Sequence, residues 1–126
     1  MVETAVSIPL LLFVVFIGLE LAWAISKKVE VTNAARVAAR VASLPDATAA
    51  DVLTATSAQM SFAGFSEGDW NLVFEPGDPS TIPAGHFVRV VVQASYAPVS
   101  LSGLNEWLPL PQELHASAAM RKEGAD

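Results

Sequence analysis

The sequence predicts an α+β protein in which a long N-terminal helix carries a small domain with a second helix and a short antiparallel sheet. Two observations support this prediction. Residues 1–44 sustain a helical pattern that starts with an apolar run. From Pro45 onward, valine-rich and aromatic segments alternate with turns rich in proline and glycine. A chain of 126 residues has room for one ordinary domain, so we assign residues 1–44 to the helix and 45–126 to the domain.

The first helix begins with an apolar run long enough to cross a bilayer. No residue from Thr4 to Leu19 is charged, and the apolar character resumes after Glu20 as far as Ile25. At the helical rise per residue, this segment spans about 33 Å, which covers a hydrocarbon core. A cleavable signal peptide is disfavoured, because the start is acidic and the helical pattern continues past the run. Such a helix must lie in lipid or among like helices.

The second half of this helix is amphipathic. Lys27 and Lys28 mark the point where the chain leaves the membrane, and Pro45 predicts that the helix ends near Leu44. A narrow face of small residues recurs at helical spacing, formed by Ala34, Ala35, Ala38, Ala39 and Ala42. Two arginines, at positions 36 and 40, stack on the opposite side and repel each other unless an acidic partner faces them.

The remaining residues predict a second helix and three strands. Residues 45–60 form the helix, with Asp46 or Thr48 as its N-cap and Gly64 as its terminator. One side of this helix carries Val52, Ala55, Thr56, Gln59 and Met60. The strands are Trp70–Glu75, His86–Ala97 and Leu114–Arg121, and Pro98–Pro111 is a loop with one helical turn near Ser102–Leu108. We expect one face of this antiparallel sheet to pack on the base of the long helix.

The composition argues against several functions. A formal net charge of −6 without a basic stripe predicts no nucleic-acid binding. The absence of cysteine excludes disulfides and thiolate metal sites. The sequence has neither a GxSxG elbow nor a glycine-rich phosphate loop, so we predict no enzyme and no cofactor.

Two residue groups raise the question of a metal site. His86 and His115 start two predicted strands and would bind a metal if the sheet brought them together. No cysteine or clustered carboxylate accompanies them, so we favour surface histidines at the strand edges. A turn is surrounded by acidic residues whose spacing does not match an EF-hand loop, namely Glu67, Asp69, Glu75 and Asp78. We therefore predict no metal.

The N-terminal residues resemble a known family. A glutamate precedes the apolar run, a proline lies inside it, a second acidic residue comes late in it, and a TNAAR segment with a further arginine follows. These features are Glu3, Pro9, Glu20, Thr32–Arg36 and Arg40. Together they resemble the TadE-like pseudopilins of tight-adherence systems, which are type IV pilin-like proteins. The resemblance covers the first 43 residues well and the last ten loosely.

The resemblance implies a structural role in bacteria. A prepilin peptidase cleaves a short basic leader after a glycine, and the mature subunit waits in the inner membrane. The pilus assembly machinery then inserts it, with copies of itself, into a helical surface filament. This sequence starts at Met1 without such a leader, and family spacing places the mature N-terminus, the site of any methylation, slightly upstream. Contacts between subunits are expected at Glu3, Pro9, Glu20, Arg36 and Arg40.

The two glutamates have alternative interpretations. Glu3 is either a favourable anion in the first turn of a helix or, as we favour, the partner of an amine or other cation from another copy. In pilins of this class, the early glutamate pairs with the N-terminal amine of a neighbour. Glu20 is either a boundary residue that snorkels near Trp23 or a contact between subunits. The sequence does not separate these two.

Three functions are consistent with this sequence. The chain is a filament subunit, a minor pseudopilin that primes or tips a filament, or a single-pass membrane-anchored binding or adaptor protein. The first is favoured, because no single domain of this size can bury so long an apolar helix.

Overall fold

The computed structural model describes residues 2–96 and 112–124, and it has the α+β architecture that the sequence predicts. The helices are α1 (Val2–Ala42) and α2 (Ala49–Phe62), and the strands are β1 (Trp70–Glu75), β2 (Phe87–Ser95) and β3 (Glu113–Arg121). The predicted loop at Pro98–Pro111, with its helical turn near Ser102–Leu108, lies outside the described residues.

Helix α1 runs for 41 residues and continues through Pro9. It ends at Ala42, close to the predicted end at Leu44. The carbonyl oxygen of Ala42 accepts a hydrogen bond of 3.0 Å from Nζ of Lys122, which is 4% exposed. A buried cation therefore lies at the negative end of the helix dipole.

Helix α2 is fixed at both ends by local hydrogen bonds. Of the two N-cap candidates, the structure selects Thr48, whose Oγ1 accepts a hydrogen bond from the backbone N–H of Asp51 while its own N–H donates to the Asp51 carboxylate. This reciprocal pair is a capping box. After the helix, Gly64 takes a φ of 96°, a left-handed conformation that favours glycine. The buried side of α2 consists of Val52, Thr56 and Met60, whereas Gln59 is exposed.

The sheet has the order β1-β2-β3, and both strand pairs are antiparallel. The central strand fixes the register, since Val90 pairs with Phe74 on one side and with Ala118 on the other. Alternate residues of β2 point into the core, namely Val88, Val90, Val92 and Ala94. One face of the sheet therefore packs on α1, as the alternation predicts.

The register keeps the two histidines apart. His115 lies opposite Gln93 near the start of β3. His86 precedes β2 and accepts a backbone hydrogen bond of 2.8 Å from the N–H of Lys122, just after β3 ends. The hypothesis that the sheet brings His86 and His115 together is therefore wrong, because antiparallel neighbours start at opposite ends.

The core lies between the back half of α1, helix α2 and the sheet. The predicted small-residue face of α1 is its buried face, and each of its five alanines is 0% exposed. Nearer to the N-terminal half of α1, Val31, Met60 and Tyr96 pack together. Alanine side chains let the sheet and α2 approach the α1 backbone closely, so this half of the helix is covered by its own domain.

Candidate assembly interface on the N-terminal helix

The front half of α1, residues 2–19, is not covered by the domain. Every large apolar side chain in it except Ile17 is between 49% and 78% exposed. Bulky apolar residues lie on all sides, so no rotation of the helix hides them. Within residues 2–96 and 112–124, α1 is the one helix long and apolar enough to span a membrane. An exposed apolar surface of this extent requires lipid or a protein partner.

Glu3 is the one charged residue in this front half. It lies exposed in the first turn of α1, and its backbone carbonyl accepts a hydrogen bond of 2.6 Å from Oγ of Ser7. Among the described residues, no cation lies within ion-pair distance of its carboxylate. The pairing of Glu3 with a cation of another copy therefore stays a prediction.

Glu20 marks the point where the domain begins to cover the helix. It is 0% exposed, and its Oε1 accepts a hydrogen bond of 2.7 Å from the Tyr96 hydroxyl. Neither interpretation from the sequence included this contact within the chain. Helical spacing carries the signal for it, since Glu20 shares the buried face with Ala24 and Val31. Its predicted contact between subunits is not needed to explain its burial.

Lys27 joins the two helices. Its Nζ donates hydrogen bonds to the Ala63 carbonyl, at 2.6 Å, and to Oε2 of Glu30, at 3.1 Å. The same ammonium lies 4.6 Å from the centre of the Trp23 ring. Lys27 is therefore a buried cation at the C-terminal end of α2, where it complements the helix dipole. The sequence predicts Lys27 at the membrane exit and does not reveal this contact between the helices.

Asp78 lies among polar groups near Lys122, which contacts the C-terminal end of α1. The backbone N–H and the hydroxyl of Ser80 both donate to its carboxylate, at 2.9 and 2.7 Å. These two hydrogen bonds, with a smaller contribution from the positive charge of Lys122, hold the pKa of Asp78 below its ordinary value.

Arg36 and Arg40 lie on the outward side of α1, as the spacing predicts. In the described part of the chain, no carboxylate is within ion-pair distance of either guanidinium. The distance along the helix from Glu3 to Arg36 is about 50 Å, so these residues cannot meet within one molecule. The outward stripe of the back half includes Ile25, Val29, Asn33, Arg36 and Arg40.

Two open grooves lie beside the helices. The larger, of about 750 Å³, runs between α2 and β1 and is lined mainly by Leu53, Trp70, Leu72 and Phe74. The smaller, of about 340 Å³, lies between α1 and the start of β3. Its lining is Leu21, Ala24, Ile25, Lys28, Glu113, Leu114 and His115. The smaller groove directly continues the apolar front half.

A comparison with known families found one similarity, in the N-terminal helix. Residues 1–40 match the model of the TadE-like protein family. All five predicted contact residues fall within the matched stretch, namely Glu3, Pro9, Glu20, Arg36 and Arg40. The resemblance read from the residues is thus confirmed over this helix, whereas no curated protein and no solved structure matches the chain.

Proposed function

We propose that this chain is a structural subunit of a bacterial type IV pilus-like, Tad-type surface filament. The front half of α1 anchors the subunit in the inner membrane before assembly and packs among copies of itself afterwards. One observation carries the proposal. The residues that match the TadE-like family include the apolar surface that the domain leaves exposed.

The hydrophobic free energy of the exposed front half suits a subunit that moves from the bilayer into a bundle of helices. Burying one large apolar side chain contributes about 1.5–3 kcal/mol, in lipid or in a protein core alike. Lipid tails are as apolar as leucine, so moving from the bilayer to a bundle of helices changes the hydrophobic term little. Packing and polar pairing therefore decide whether subunits assemble. Glu3 is the polar group in question, since an unpaired carboxylate in apolar surroundings is costly.

The partners follow from this role. A prepilin peptidase removes a leader and leaves an N-terminus that is open to methylation, and the pilus assembly machinery extracts the subunit from the membrane. The domain then lies on the outside of the filament, where it is available for adhesion to surfaces. We assign contacts with neighbouring subunits to Pro9, Arg36 and Arg40 as well as to Glu3. This role is structural and needs no catalytic residue.

The test is electron microscopy and mass spectrometry of filaments sheared from cells that produce the tagged chain. We expect this chain to be the most abundant protein in the fibres. If the chain is present but rare in fibres built from another subunit, it is a minor pseudopilin. If it stays in the membrane fraction and detergent extracts it as a monomer, it is a membrane-anchored adaptor, and the filament proposal fails.

A further inference from the structure

We propose that the smaller groove, between α1 and the start of β3, receives the first turns of α1 from a second copy, and that Lys28 is the cation that pairs with Glu3 of that copy. This inference rests on the proposed filament function and specifies one of its contacts. The second helix lies parallel to the first and is shifted along it.

The groove offers an apolar seat that is open to the outside. Leu114 and Ala24 are buried at its base, whereas Leu21 and Ile25 are 45% and 66% exposed. Val29, 53% exposed, extends the same apolar strip by one helical turn. The side chains that could fill this strip must be small and apolar, and they must recur at helical spacing.

The first turns of α1 fit these requirements. Val2 and Val6 are one helical turn apart on the same face, and they are 78% and 64% exposed. Val2 and Val6 have the same spacing as Ile25 and Val29, so Val2 lies against Ile25 in the groove when Val6 lies against Val29. The occupant is therefore the exposed apolar end of the same chain, brought by another copy.

The charged side chains at the rim of the groove include one cation, Lys28, that can pair with Glu3 of the second copy. Lys27 is engaged inside the domain, where its Nζ donates to the Ala63 carbonyl. Glu113 lies 3.5 Å from Nε2 of His115, a contact that is an ion pair only when the imidazole is protonated. Lys28 is exposed, and no carboxylate in the described part of the chain lies within ion-pair distance of it. It is thus the cation at the rim that is available to Glu3.

The length of the helix makes this pair intermolecular. Glu3 and Lys28 are 25 positions apart in one rigid helix, which corresponds to about 37 Å. They can meet only if a neighbouring copy is shifted by about that distance along the axis. A shift of 23 positions, about 35 Å, places Val2 of the neighbour beside Ile25 and leaves Glu3 about 3 Å short of the level of Lys28. The long side chain of Lys28 leans toward the N-terminus and spans that difference, so the charged and the apolar contacts form together.

A charge exchange in sheared filaments tests the pair. We expect Glu3→Lys and Lys28→Glu each to lower the filament yield about tenfold, because each places like charges together. The double variant should restore most of the yield. The matched control combines Glu3→Lys with Arg89→Glu, which reverses an exposed cation of β2 outside the groove, and it should restore nothing. Normal yield in Lys28→Glu alone, or equal rescue by Arg89→Glu, would overturn the pairing.

Disulfide trapping tests the docking without altering either charge. The chain contains no cysteine, so Val6→Cys with Val29→Cys introduces the only two thiols. These positions are too far apart to bond within one molecule, since a disulfide requires Cα atoms within about 7 Å. Oxidised filaments should give a ladder of covalent multimers, whereas Val6→Cys with Leu53→Cys should not. Filaments without a ladder contradict the docking, whereas a lack of filaments from the unchanged chain contradicts the proposed function instead.

Discussion

The two halves of α1 share one backbone geometry but differ in the surfaces that they present. In the front half, bulky side chains such as Leu11 and Phe13 are 65% and 52% exposed. In the back half, Val31, Ala35 and Ala38 are all 0% exposed. The front half is apolar on every side, whereas the back half confines its apolar residues to one face. The size and placement of side chains, not helix propensity, decide which half the domain covers.

This difference shows how one helix serves two purposes. Alanines let the sheet and α2 come close to the backbone, so a small domain is enough to cover the back half. The same domain cannot surround a helix that is apolar on all sides, and the front half is left for lipid or for a protein partner. Glu20, which accepts a hydrogen bond from the Tyr96 hydroxyl, lies where the exposed front half meets the covered back half.

The largest effect is expected from a charge in the middle of the front half. Leu12 and Leu53 are both 52% exposed, so exposure alone does not distinguish them. Leu12→Lys should oppose membrane insertion by about 3 kcal/mol, because it places an ammonium near the bilayer centre. Leu53→Lys, on the surface of α2, should leave insertion unchanged. Alkaline extraction of membranes measures both, and equal membrane retention of the two variants would contradict a spanning front half.

A smaller effect is expected from enlarging the small-residue face. Ala38→Leu should lower the free energy of unfolding of the domain by about 2 kcal/mol, because the closely packed sheet has no room for the added atoms. Its control is Ala5→Leu, the same change on the exposed front half. Denaturant unfolding of the detergent-solubilised chain, followed by tryptophan fluorescence, compares them. A destabilisation by Ala5→Leu as large as that by Ala38→Leu would break the distinction between the halves.

The smallest effect is expected at the boundary. Tyr96→Phe removes the hydroxyl that donates to Glu20, and it should lower the free energy of unfolding by about 1 kcal/mol. The same unfolding assay measures it, and membrane insertion should not change because the hydroxyl belongs to the domain. An effect on insertion alone would show that Glu20 acts as a membrane boundary residue and not as a domain contact.

Local signals in the sequence predicted the elements well. Pro45 marked the end of α1 to within a few residues, and strand β1 has the predicted limits, Trp70–Glu75. These features depend on neighbours along the chain, which the sequence displays directly. The starts of β2 and β3 differ from the prediction by one residue each, since Phe87 and Glu113 begin them.

Contacts between distant residues were not predictable in the same way. Glu20 and Tyr96 are 76 positions apart, and Lys27 and Ala63 are 36 apart. Periodicity shows which helical face a residue occupies, but not which strand or helix end will pack there. Helical spacing therefore places Glu20 on the buried face, but its partner Tyr96 and the partner of Lys27 follow from the packing of the whole domain. The exposed front half was predictable, because it depends on the helix alone.

Buried hydrogen bonds hold the domain to α1 at three positions along the helix. The Tyr96 hydroxyl donates to Glu20, Lys27 donates to the Ala63 carbonyl, and Lys122 donates to the carbonyl at the end of α1. These points are spread over about 33 Å of helix, with the packed alanine face between them. Tension applied along a filament would therefore load all three fastenings in shear at once instead of peeling them one by one. In the proposed filament, a subunit built in this way would transmit pulling force from its core helix to its surface without shedding its domain.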